Sequence, residues 1–459
     1  MATDTTTTRE KGKVAPGPEG NQLLGALLNS SKEDVIASYV ELWREYGDVV
    51  RLNMGPLAVQ QFVLPEHVRH IMVRNAANYP KGMSHDKLRI ALGNGLLTSG
   101  GPLWQRQRRL MQPTYTPRAV TRFADIMVDA TEQMIKRWQV QTKSDDTLVV
   151  NAEMMRLTMS VISRSMFDLD ISEDFAEAGE ALVTILEFAA ERSMSFIDPP
   201  LFLPTPMNRR FKRSIEALDT FLYAIIDERS EQPPGDDLLS LLMTARDEET
   251  GEVMTREQLR DEVLITFFAG HETTATLLTW TWYLLSKYPA VDEKLQDELH
   301  RVLAGRHSTV EDIPELAYTR MIIDEVLRLY SPVAIMARDP IEADVIGGYE
   351  VPAGSLVSIT PFITHRHPEF WDNPEAFMPE RFTPEEIEKR PRYAYYPFGA
   401  GQRICLGQHF ALLEGVLVVA ELAQRYQLQV VPGLQLMPEF MGTLRPDKDL
   451  LMTLHKREH

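Results

Sequence analysis

The chain's single cysteine, Cys405, stands in the stretch Phe398-Gly-Ala-Gly-Gln-Arg-Ile-Cys-Leu-Gly407. Glycines 399, 401 and 407 free the backbone to turn tightly and to approach a flat ligand closely. An apolar run from Phe410 to Ala420 follows and predicts a buried helix, which puts Cys405 at or just before a helix N-terminus. Free N–H groups and the positive dipole end there favour a thiolate over a thiol. A thiolate in an apolar, glycine-lined loop suits a soft metal centre, with haem iron the leading candidate. Taken alone, a lone cysteine is more often a small buried hydrophobe. Phe398, the glycines and Arg403 at fixed offsets weigh against that alternative.

A second set of polar residues interrupts the longest helical pattern, Met254–Tyr288. Thr255 and Gln258 spell a capping box at its start, and Pro289 stops it. At ~1.5 Å per residue this helix spans on the order of 50 Å. Its centre reads Ala269-Gly-His-Glu-Thr-Thr274. Glycine there costs about 1 kcal/mol relative to alanine, which a purely structural helix has no reason to accept. Threonine and glutamate mid-helix could open a backbone hydrogen bond and leave a small wet pocket. The alternative is a helix packed by small residues with a solvated His-Glu face, and on this segment alone the two stand even.

Phe398-x-x-Gly401-x-Arg403-x-Cys405-x-Gly407 resembles the haem-binding signature of the cytochrome P-450 monooxygenases, in which a cysteine thiolate ligates the iron and favours O–O cleavage. The resemblance implies haem b as cofactor, Cys405 as the metal ligand, and cofactor contacts from Phe398, Gly399, Arg403 and Gly407. Ala269-Gly270-x-Glu272-Thr273 resembles the family's oxygen-activation motif, with Glu272 as the acid and Thr273 as the alcohol. Dioxygen reduction consumes protons, and a hydroxyl backed by a carboxylate can deliver them. Trp104-Gln-Arg-Gln-Arg108 matches the family's Trp-x-x-x-Arg pattern. The haem carboxylates need cationic and N–H donors, and Trp104, Arg108, Arg403 and, more loosely placed, Arg338 offer them. Any single arginine is more commonly an exposed basic side chain. Glu325-x-x-Arg328 with Arg381 in Pro379-Glu-Arg-Phe382 matches the family's Glu-x-x-Arg set, implying a buried structural network on the proximal side. As a lone helix-face pair it would contribute little.

The elements that must position these residues are mostly helical. A helix is expected over 32–46, strands over Val49–Met54 and Ala58–Leu64 across Gly55-Pro56, and helices from Arg118 to about Leu284 with breaks near Asp145, 199–206 and 233–237. A helix from about Tyr318 to Tyr330 follows. After Pro332 come short strands, with turns at Gly347-Gly348 and Pro352-Ala-Gly354. The fold class is therefore mostly α with a minor β portion (α+β). No linker or repeat divides the 459 residues, so a disordered tail over 1–20 and one domain over 21–459 are expected.

A formal charge of −18 argues against nucleic acid as a partner. One cysteine excludes a disulfide framework and fits a reducing compartment. The polar N-terminus lacks a signal-peptide core, and no run of about 18 apolar residues predicts a membrane anchor. The chain thus resembles soluble, bacterial-type members, with a cytoplasmic location expected. No flavin or nicotinamide fingerprint is present, so a ferredoxin or flavodoxin with its reductase is expected to supply electrons. Arg106, Arg108 and Arg109, and Lys389, Arg390 and Arg392, could form a cationic patch that steers such an acidic donor, scattered solvated charge being the equal alternative.

The resemblance places a substrate pocket among Met83, Leu88, Leu96, Phe188, Phe268, Ala269, Val333 and Ile335. Nearly all are apolar, so a hydrophobic organic substrate follows, of the fatty acid, terpenoid or steroid class. The expected activity is a haem-thiolate monooxygenase. The rivals are a haem-thiolate peroxygenase or isomerase that does not use dioxygen, a non-catalytic haem sensor, and a structural helical protein with a buried cysteine.

Overall fold

The computed structural model describes residues 12–18, 35–54, 57–141, 147–169 and 200–457, and, between 170 and 199, only Ala181, Thr184, Ile185, Phe188 and Arg192. Most of the expected tail, the Gly55-Pro56 turn, the break near Asp145 and most of the 181–196 segment lie outside these residues. In chain order the principal elements are α1 (Val35–Tyr46), β1 (Val49–Met54), β2 (Leu57–Phe62), α2 (Pro65–Arg69), α3 (Met83–Leu92), α4 (Gly101–Met111), α5 (Ala124–Gln141), β3 (Thr147–Val149) and α6 (Val150–Phe167). They continue with α7 (Pro206–Ser230), α8 (Leu238–Thr244), α9 (Arg256–Lys287), α10 (Pro289–Val302) and α11 (Ala317–Leu329). The short strands β4 (Met336–Arg338), β5 (Asp344–Ile346), β6 (Tyr349–Val351) and β7 (Leu356–Ile359) precede α12 (Gln408–Arg425). The chain closes with β8 (Tyr426–Val430), β9 (Pro438–Phe440), β10 (Leu444–Pro446) and β11 (Leu451–Lys456). This is the expected mostly helical fold with a minor strand content.

The chain forms two compact units, each assembled from separate stretches of sequence. The first comprises Met1–Met83, Val333–Pro374 and Arg390–Ile404. Its framework is a four-stranded sheet in the order β1-β2-β7-β4, in which only β2 and β7 run parallel. The β5–β6 hairpin turns through Gly347 and Gly348 at φ 58° and 83°, a two-residue turn with both residues left-handed that glycine adopts without strain. Val49, Phe62, Val357 and Ile359 from the sheet pack with Val68, Ile71, Met72 and Tyr396 to form its core.

The second unit comprises Ser84–Pro332, Glu375–Lys389 and Cys405–His459, and α9 is its central element. The expected capping box is present: Gln258 N–H donates to Thr255 Oγ1 at 3.2 Å, and Thr255 N–H to Gln258 Oε1 at 3.0 Å. The helix ends one residue before Tyr288-Pro289, as proline's effect on the preceding residue requires. Buried side chains occur all round it, the pattern of a helix enclosed by others.

Two expectations about its centre need correction. The helix is continuous through 269–274, and Thr273 Oγ1 donates to the Ala269 carbonyl at 2.7 Å, one turn back, so the hydroxyl is satisfied along the helix. Gly270 does have a structural reason: a Cβ there would lie 2.9 Å from Ile162 Cδ1 of α6. Close packing of α6 on α9 thus offsets the helix-propensity cost, and Thr158 Oγ1 bonds the His271 carbonyl at 2.9 Å across the same contact. His271 is buried as well, so the solvated His-Glu face does not exist.

α11 carries a fully buried ion pair. Arg328 Nε and Nη2 donate to Glu325 Oε2 and Oε1 at 2.6 and 2.7 Å, and both side chains have no exposed surface. Glu325 also accepts the Met378 N–H at 2.9 Å and pairs with Arg381 at 3.4 Å, while Arg328 donates to the Ala376 carbonyl at 3.0 Å. The pair thereby clamps the 376–381 segment to α11. No described helix is long and apolar enough to cross a membrane.

Candidate active site

The cysteine loop is shaped by its glycines unequally. In the first unit, Gly399 and Gly401 have φ of 76° and 67°, and a Cβ on Gly401 would fall 2.0 Å from the Met72 carbonyl oxygen. Gly401 is therefore required by the close approach of the Met72 backbone, a demand the sequence did not reveal. Phe398 is half-buried beside it, and Gly399 N–H closes the turn onto the Tyr396 carbonyl at 2.9 Å. Arg403, half-buried, ends the 3₁₀ turn Gly401–Arg403.

In the second unit, Gly407 is the N-cap of α12 at φ −79°, and nothing among the described residues lies within 4 Å of a Cβ built there. No described contact demands glycine at 407. Cys405 lies two residues before that cap, and its side chain is exposed. An exposed thiol is not a core hydrophobe, which removes the structural rival for this residue. The tilted ring pair Phe123–Phe410, with centroids 5.8 Å apart, anchors the first turn of α12 behind it.

The cationic donors divide between the units. Trp104 and Arg108 lie one turn apart on α4 and therefore share a face, with Trp104 buried. Burial lowers the Arg108 pKa, and the charge of Cys405 opposes that shift, which places guanidinium and sulfur within electrostatic reach. In the first unit Arg338 is 6% exposed on β4, and its Nη1 donates only to the Ala337 carbonyl at 2.7 Å. Burial alone pulls its pKa down to about 10, and no carboxylate among the described residues pairs with it. A buried guanidinium without a counter-anion suits a ligand that brings carboxylates. Within the second unit, a reachable thiol at a helix N-terminus beside a glycine that no described packing explains fits haem b.

The expected cationic patch is not free charge. Arg109 pairs with Asp247 and Glu249, each at 3.0 Å, and Arg106 bonds Gln258 and the Val253 carbonyl. Lys389 pairs with Glu386 at 2.6 Å, and Arg390 lies 3.8 Å over the Trp371 ring. The sequence showed the cations but not the distant acids and rings that engage them.

Glu272 is held from the C-terminal hairpin region, where Thr443 Oγ1 donates to its Oε1 at 2.7 Å. Burial raises its pKa, opposed by the Thr443 bond and the charge of Arg445, which makes it a better proton store than an exposed carboxylate. Neither Thr443 nor Arg445 is visible as a partner in sequence, being more than 170 residues away. One turn of helix separates Ala269 from Thr273, whose hydroxyl can rotate from its carbonyl partner toward another acceptor.

A third acid was missed altogether. Glu262 on α9 is fully buried, and desolvation pushes its pKa up to about 8 despite the Leu96 N–H bonded to it. The folded protein thus holds this proton across a range where the unfolded chain, with its pKa near 4.5, releases it. Wild type should therefore lose stability relative to Glu262→Gln as pH rises from about 5 to about 8, by about 1–3 kcal/mol, and change no further above that. Melting curves of both proteins at pH 5, 7 and 9 check this; parallel curves would remove the assignment.

The proposed wall residues are variously placed. Leu88 on α3, Leu96 between α3 and α4, Phe268 on α9, and Val333 and Ile335 before β4 are half-buried, and Ala269 is exposed. Phe188 is buried and stacks on Phe211 of α7 with centroids 3.8 Å apart, so its ring is already engaged by packing. Met83 opens α3, and its side chain lies outside the described residues.

A family model described as Cytochrome P450 matches residues 15–454. Cyclooctat-9-en-7-ol 5-monooxygenase of Streptomyces melanosporofaciens is 34% identical over 442 residues, covering 93% of this chain and 95% of that protein. Pentalenene oxygenase of Streptomyces avermitilis is 30% identical over 415 residues, covering 90% and 91%. Among solved structures, the cytochrome P450DA heme domain is similar with a TM-score of 0.90 at 27% identity, covering 98% of this chain and 99% of that one.

Proposed function

From the premise that this chain belongs to the cytochrome P450 family, and so is an oxidoreductase that binds haem b, we propose that it inserts one atom of dioxygen into a cyclic terpenoid. The observation that carries the substrate class is the pair of relatives just described. One is named for oxygenating position 5 of a cyclic alkenol, the other for oxygenating a hydrocarbon, both along nearly their whole length. The apolar, half-buried side chains of Leu88, Leu96, Phe268, Val333 and Ile335 agree with such a ligand.

Haem, when bound, supplies the iron at which dioxygen is activated. Cys405 Sγ would hold that iron, favoured as thiolate by the N-terminus of α12 and the Arg108 charge. Trp104, Arg108, Arg338 and Arg403 would supply the donors for the cofactor's carboxylates, and Phe398, Gly399 and Gly407 would contact it. Thr273 Oγ1 would pass on a proton, and Glu272, whose pKa burial raises and which Thr443 positions, would replenish it. Residues 21–459 act as one functional domain in this scheme, in keeping with an uninterrupted family match over 15–454. Electrons come from a redox partner, for which a ferredoxin or flavodoxin with its reductase is proposed, in a cytoplasmic setting.

The test is a titration of the ferric protein against cyclic terpene hydrocarbons and alkenols, fatty acids and steroids, followed by turnover with a ferredoxin system under labelled dioxygen. The terpenoids should shift the spin state and yield product carrying one labelled oxygen. In Thr273→Ala the share of electrons that reaches product should fall about 10-fold. Product formed only from peroxide, unaffected by Thr273→Ala, would overturn the scheme in favour of a peroxygenase.

A further inference from the structure

The segment between α3 and α4 is held to α9 by two adjacent carboxylates. Asp261 Oδ2 accepts the Asn94 N–H at 2.7 Å, and Glu262 Oε2 accepts the Leu96 N–H at 2.9 Å. The glycines preceding each of these amides are dictated by the same contact. A Cβ on Gly93, at φ 75°, would lie 2.1 Å from Asp261 Oδ1, and one on Gly95 would lie 2.7 Å from Ile265 Cδ1. The loop is otherwise braced within itself: Thr98 and Ser99 N–H groups donate to the Gly95 carbonyl, Thr98 Oγ1 to the Gly93 carbonyl, and Arg89 to the Thr98 carbonyl. It also touches α4 through Ser99 Oγ and Gln107 Oε1 at 3.2 Å. Such a loop behaves as a small body whose position depends on a few external attachments.

Those attachments are themselves fixed. Asp261 is paired by Arg260 at 2.8 Å, and Arg260 Nε reaches Asp219 of α7 at 2.7 Å. Glu262 is enclosed with no exposed surface. It lies ten residues before Glu272 on one continuous helix, about 15 Å along its axis. The loop is therefore registered against the same rigid helix that carries Phe268, Ala269, Glu272 and Thr273.

We propose that Asp261 and Glu262 form a latch that fixes the Gly93–Ser99 loop on α9 and so sets how tightly an apolar ligand is held beside Leu96. They are positioning residues, acting through the loop rather than on the ligand. The inference rests on the reading of Leu96 as a wall of the substrate pocket.

The haem-loaded full chain and its Glu262→Ala, Asp261→Ala and Glu262→Gln variants provide the test, with 4-phenylimidazole as an apolar probe that ligates haem iron. Amide hydrogen exchange at Asn94–Ser99 and the probe's dissociation constant are read together. Each alanine variant should raise exchange at its own amide about 10-fold and weaken the probe about 5- to 10-fold, because the acceptor is gone. Glu262→Gln keeps an amide oxygen and should stay within about 2-fold of wild type on both. Unchanged exchange in both alanine variants would overturn the latch, and so would faster exchange with unchanged probe affinity. If Glu262→Ala does not fold, Asp261→Ala reads the same latch at Asn94. Failure of the wild type to bind haem through thiolate would sink the proposed function and not the latch, because exchange is read on the polypeptide itself.

Discussion

Alanine at position 405 abolishes dioxygen-dependent turnover, by about 1,000-fold or more, and leaves the polypeptide's own stability within about 0.5 kcal/mol. The two halves of this expectation have different causes. Stability is spared because the side chain is exposed and packs no core, while Phe123 holds Phe410 in the first turn of α12. Activity is lost because no other thiol exists in the chain to donate electron density to the iron. Product formation and apo-protein melting, measured side by side on wild type and variant, check both halves. A melting point lowered by many degrees with activity retained would make Cys405 a packing residue.

The second large effect is on folding. Glu325→Ala should destabilise the protein by about 3–5 kcal/mol, because it removes the buried carboxylate that accepts two Arg328 bonds, at 2.6 and 2.7 Å. It also orphans the Met378 amide and releases Arg381, so the 376–381 segment loses its clamp on α11. The melting temperature should fall by about 3–5 °C. Arg381→Ala makes the internal comparison: its contact with Glu325 is longer, at 3.4 Å, and its loss should cost much less. Equal, small effects from both substitutions would mean that the network is not a structural clamp.

How far the sequence was informative follows the range of the interaction that decides each feature. The capping box of α9 and its stop at Pro289 are local, and both are present within two residues of expectation. The Gly347-Gly348 turn and the helix beginning just after Cys405 are local too, and the structure contains them. The strand after β1 was displaced by a residue or two, running Leu57–Phe62 instead of Ala58–Leu64, because sheet register is set by pairing partners.

What sequence could not supply was the partner of each polar residue. Gly270 looked costly because Ile162 of α6 is more than 100 residues away, and the protein contact that requires Gly401, the Met72 carbonyl, is farther still in sequence. Arg106 and Arg109 looked like a cationic surface until Asp247, Glu249 and the Val253 carbonyl came into place. Glu262 belongs to no motif in the sequence, yet it is fully buried and binds a loop amide. In each case burial and long-range contact, which no residue pattern encodes, changed the role of the side chain.

The central claim is that Cys405 presents a thiolate to haem iron. The absorption spectrum of the dithionite-reduced, carbon-monoxide-bound protein tests it most directly. The account predicts the strongly red-shifted Soret band of a thiolate-ligated haem in wild type and its absence in Cys405→Ala. A wild-type band at the position of histidine-ligated haem, or a red-shifted band that survives in Cys405→Ala, would contradict it.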